Sequence, residues 1–64
     1  MSSLSNDYAL AIMNSLLAPS QTVSNQFAAQ ASQIGASLPK ATKEYIQKCM
    51  HQQALLYQAF GGKG

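Results

Sequence analysis

Cys49 and His51 are the only cysteine and the only histidine of the chain, and they stand two residues apart. On a helix that spacing turns the two side chains about 200° away from each other. A thiolate–imidazole couple needs both groups within hydrogen-bond reach, so this pair predicts neither nucleophilic catalysis nor a metal clamp. A single cysteine excludes an internal disulfide, and no Cys/His cluster has zinc-ligand spacing. Asp7 and Glu44 are the only carboxylates, and nothing in their spacing makes an acid/base pair. Gly61, Gly62, Lys63 and Gly64 are rich in glycine, yet no following helix holds a phosphate there. Histidine is the one side-chain type whose free form titrates near neutrality, and His51 is its single occurrence here. It reads as a solvated histidine on a polar face, or more sharply as a group whose protonation alters helix contacts. The residues therefore predict no catalytic site, no cofactor, no metal and no enzyme activity.

Nucleic-acid chemistry rests on the lysines. The small residue Ala31, four positions before Gly35, followed by Ser37, Lys40 and Lys43, resembles the turn of a helix-turn-helix. Ser37 then opens a recognition helix, within a segment spanning residues 27–48. The fit is incomplete. Ala41 and Glu44 fall where that motif buries aliphatic side chains, and the chain has no arginine. A net charge of +2 is weak for phosphate binding. Nucleic acid thus ranks behind protein as a partner.

The elements that carry these residues follow from apolar spacing. Ile12, Val23, Ile34, Tyr45 and Leu56 recur every eleven residues, and Leu16, Phe27, Leu38, Cys49 and Phe60 follow each by four. Both rows lie on one helical face. Eleven residues in three turns keep a stripe almost straight, although any amphipathic helix tends toward this repeat. The background is more telling. No charged residue stands between Tyr8 and Pro39, and only 9% of the 64 residues are charged, against about 25% in a typical domain. Ten alanines, eight glutamines and eight serines fill the surface instead. Such a surface repels its own copies little, and its small side chains permit close helix approach. The ten residues of the two rows are the predicted interface.

Three helical segments are expected. The first runs from about Asn6 to Ala18, capped by Ser5 or Asn6, after a flexible lead of residues 1–5. Its apolar face is broad (Tyr8, Leu10, Ile12, Met13, Leu16, Leu17), which predicts more than one packing neighbour. Pro19 ends it, and Ser20 or Thr22 caps the next. Residues 35–39 allow two outcomes. Gly35 closes the second helix with a left-handed angle, Ser37 caps the third, and Pro39 sits in its first turn; or the helix continues through a proline kink. The order of signals favours a break or strong kink. The last helix runs from about Pro39 to Phe60, with Glu44 and Lys48 as a favourable i,i+4 pair, before a flexible Gly/Lys tail at residues 61–64. Residues 6–60 are one all-α domain, a helical hairpin or a small three-helix bundle, expected to be oligomeric.

So short a chain buries a limited core. One continuous helix over residues 20–60 would be about 60 Å long and mostly uncovered by a first helix of about 20 Å; a bundle needs less help. The eleven-residue apolar run from Tyr8 to Ala18 is too short to span a bilayer, which takes about 20. The N-terminal residues lack a basic stretch, so no secretory leader is expected. Leu16 to Gln30, with its Ala18-Pro19 step, and His51 to Ala59, with its Gln52-Gln53 step, resemble stretches of the R-body (Reb) proteins. The resemblance implies a bacterial, cytoplasmic subunit that polymerises, with packing sensitive to pH. The combined reading is a structural protein that associates with itself. The alternative is a compact regulator that binds another protein or DNA.

Overall fold

The structure, a computed structural model, describes residues 3–61. Three helices follow one another: α1 (Leu4–Leu16), α2 (Gln21–Gly35) and α3 (Lys40–Phe60). Each boundary has a local cause. Ser3 is extended, and its hydroxyl accepts from the Asn6 amide at 3.0 Å. That cap starts α1 two residues ahead of the expected Asn6, so Leu4 and Ser5 are helical. Residues 1–2 of the expected lead, and residues 62–64 of the expected tail, lie outside the described residues. α1 also stops before Ala18. The residue preceding proline is driven from helical angles, so Leu17 and Ala18 form a closing turn, bonded to the carbonyls of Met13 and Ser15. Ser20 caps α2 by accepting from the Val23 amide.

The joint at 35–39 is a break. Ala36, Ser37 and Leu38 turn tightly, with the Ser37 amide on the Ile34 carbonyl and the Leu38 amide on the Gly35 carbonyl. Pro39, with φ −61° and ψ 148°, then leads into α3. Two details differ from expectation. Ser37 does not cap α3, because Pro39 intervenes at the cap position with no side-chain bond. Gly35 is the last helical residue of α2 and has no left-handed angle. Its role is a close approach: a Cβ built on it would lie 2.9 Å from Tyr8 Cε1 and 3.0 Å from Lys43 Cδ. Glycine is present because the Tyr8 ring occupies the space a side chain needs.

α1 is the shared element, packed more extensively on α2 than on α3. This is the second neighbour that the broad apolar face of α1 required. Tyr8, Ala11, Ala31 and Ile46 form the core, with Ile12, Ile34, Leu38 and Met50 packed around it. Alanines at its centre let the helices come close. Two polar contacts fix the register. Gln47 Nε2 donates to the Tyr8 hydroxyl at 2.6 Å, tying α3 to α1. Ser15 donates to the Ser24 carbonyl at 2.9 Å, and the two serine hydroxyls meet at 3.1 Å, tying the end of α1 to the start of α2. α1 and α2 are therefore antiparallel, with Tyr8 beside Gly35 at the opposite end.

The fold is less spherical than its length permits. The radius of gyration is 11.8 Å, against about 10.7 Å for a compact 64-residue domain. The accessible surface is 4676 Å², against roughly 3,950 Å² for a monomer of this mass. α3 is the reason. At about 31 Å it is half as long again as α1, at about 20 Å, so one helix of the bundle has more surface than its neighbour covers.

Candidate functional site

α3 buries one arc and exposes another. At 100° per residue, Ile46, Met50 and Ala54 occupy an arc of about 80°; Ile46 and Ala54 are buried and Met50 is half-buried. Tyr45, Cys49, Leu56 and Phe60 occupy a separate arc of about 60°, roughly 110° away. Tyr45 is 70% exposed and Phe60 81% exposed. Leu56 is exposed and Cys49 half-buried. Leu55 and Tyr57 are exposed too, but they lie about 110° and 90° from the centre of the stripe, on opposite sides of it, and are not part of it. Single exposed leucines are ordinary, whereas a contiguous apolar strip along one helix is not.

The ten predicted interface residues therefore do not form one surface. Ile12, Ile34 and Leu38 pack against the core. Leu16, Val23 and Phe27 are half-buried. Of the rows, only the α3 members Tyr45, Cys49, Leu56 and Phe60 share an outward stripe. The eleven-residue step is in phase along the chain, but the turns at 17–20 and 36–39 re-aim each helix, so one row packs inward on α2 and outward on α3.

A second feature is an open cleft of about 450 Å³ between α2 and α3. Ile12 and Leu16 of α1 form its floor, Ala28 and Ser32 one wall, Lys43 and His51 the other. It exists because α2 and α3 scarcely touch. His51 Nδ1 lies 2.7 Å from the Gln47 carbonyl, within reach to donate to it in the Nδ1-protonated tautomer. Sequence spacing gave no hint of the cleft, since it depends on how far apart two helices sit. The Tyr8–Gly35 contact was equally hidden, although an isolated glycine in a helical pattern is a signal of close packing.

The three lysines of α3 do not assemble a basic face. Lys40, Lys43 and Lys48 spread over about 140° of α3. Lys40 reaches Glu44 at 4.0 Å with both side chains well exposed, and Lys43 is half-buried beside Gly35. The sequence-favoured partner of Glu44 was Lys48; the structure pairs it with Lys40. Among the described residues, no helix is long and apolar enough to cross a membrane. No family model, no curated protein and no solved structure matches this chain.

Proposed function

We propose that this protein is non-enzymatic and acts by helix–helix association, with further copies of itself as the partner. The observation that carries this reading is the stripe of Tyr45, Leu56 and Phe60, exposed on one arc of α3. Taking about 200 Å² for each aromatic side chain, Tyr45, Leu56 and Phe60 expose roughly 400 Å² of apolar surface on that arc, the size of the largest patch on an ordinary monomer, which is often a functional one. The low-charge Ala/Gln/Ser background adds little repulsion between copies. The resemblance to R-body proteins points the same way, toward a bacterial, cytoplasmic polymer subunit. A chain that polymerises needs a second contact surface in addition to the stripe, and the cleft between α2 and α3 is the available one.

Sedimentation equilibrium across a wide concentration range tests this. Association gives a mass that rises with concentration. A constant 6.8 kDa at every concentration rejects it. The alternative, a regulator that binds DNA through residues 27–48, draws on the turn between α2 and α3. It requires a gel shift with mixed DNA at low salt, where phosphate contacts are strongest.

A further inference from the structure

We infer that two copies pair through α3 in an antiparallel, two-fold arrangement centred between Gln52 and Gln53. This rests on the association reading above and adds its geometry. The stripe is its own mirror in sequence: Tyr45 and Phe60 lie equally far from that centre, and so do Cys49 and Leu56. Turning a second copy end for end sets Tyr45 on the second copy's Phe60 and Cys49 on its Leu56. Each contact occurs twice, as a self-complementary interface requires.

Charge selects the antiparallel direction. Every charged residue of α3 (Lys40, Lys43, Glu44, Lys48) lies in its first nine positions, and His51 to Phe60 carries none. A parallel pair would align the two lysine-bearing halves and the two helix dipoles. An antiparallel pair sets the lysine half of each copy beside the partner's last turn, where unpaired carbonyls carry partial negative charge and, among the described residues, the turn itself holds no basic side chain. The stripe supplies roughly 400 Å² of apolar surface per copy, about half of the ~800 Å² per partner of a stable interface, and Gln52 and Gln53, about 20° outside its two edges, add polar area to the same contact.

Thiol cross-linking of the full chain reads the register. In this arrangement Cys49 is seven residues, about 10 Å along the axis, from its own copy, too far for a disulfide, which requires Cα atoms within about 7 Å. Position 52 meets itself across the axis. The expected result with copper–phenanthroline as oxidant is little cross-linked dimer from the native chain and efficient cross-linking of Gln52→Cys in a Cys49→Ser background. Leu56→Ser and Phe60→Ser should each weaken the pair about tenfold or more, as loss of a central apolar anchor does. Efficient Cys49 cross-linking means a parallel pair or an antiparallel pair in another register, and either overturns the proposal. A native chain whose mass rises with concentration, combined with no cross-link through position 52, overturns this geometry while association stands. A native chain that stays monomeric overturns both.

Discussion

Gly35→Ala should destabilise this protein, although helix propensity alone says the opposite. Within a helix, alanine is favoured over glycine by up to about 1 kcal/mol, and at a last helical position by less. Against that stands the Tyr8 ring, 2.9 Å from the new methyl carbon. Lys43 Cδ, at 3.0 Å, belongs to a flexible chain and moves aside at little cost. The ring does not. It is 3% exposed, set in the core, and its hydroxyl accepts from Gln47. Forcing an extra carbon into such a site costs about 1–3 kcal/mol. The net loss is about 1 kcal/mol, equal to a fall in Tm of about 4–8 °C for a domain of this size. Thermal unfolding followed by circular dichroism at 222 nm measures it. The decisive comparison is the double variant. In a Tyr8→Leu background the ring edge is absent, so Gly35→Ala should become neutral or stabilising. The sign change isolates the contact as a coupling between two positions. A Gly35→Ala protein that melts higher than the native one, with Tyr8 intact, refutes the close approach and the packing built on it.

Other substitutions separate the contacts further. Tyr8→Phe removes the 2.6 Å bond from Gln47 while leaving the ring; since Gln47 remains accessible to water, the loss should be about 1 kcal/mol, read as a lower urea midpoint. Ser20→Ala deletes the cap on the Val23 amide and should lower stability by about 1 kcal/mol, with a loss of helix signal before the main transition. Phe60→Ser alters a side chain that is 81% exposed, so the monomer's unfolding free energy in urea should change by no more than about 0.5 kcal/mol while association weakens; a large drop in monomer stability would show that Phe60 is packed within its own chain.

The sequence declared the helices and hid their directions. Apolar spacing, Pro19 and the Ser20 cap located three segments, and the broad face of α1 foretold its two neighbours. Terminal residues were less legible: Ser3, Ser5 and Asn6 are all competent caps, and the choice of Ser3 depends on backbone angles at the turn. Tertiary geometry accounts for the other differences. Gly35 carries both helix-stop and close-packing meanings, and only the position of Tyr8, 27 residues away, decides between them. Likewise, Tyr45 and Ile46 are adjacent and both apolar, and either could face the core. Ile46 is buried and Tyr45 is not, because the 36–39 turn sets the rotation of α3 about its axis. The candidate surface was therefore half legible: its residue types were plain, its membership was not.

The serine contact between α1 and α2 has a consequence for the order in which the molecule opens and closes. Ser15 and Ser24 lie nine residues apart in the chain, so this contact closes a short loop, and a short loop costs little entropy to form. α1 and α2 can thus meet early as a local hairpin. α3 returns to α1 only across the longer separation from Tyr8 to Gln47, and through a less extensive contact. Cooperative units of unequal strength open separately. The hairpin should therefore outlast α3, and amide exchange should be faster along α3 than along α1 and α2; an α3 lifted on Pro39 would have both its buried arc and its exposed stripe free to find another chain.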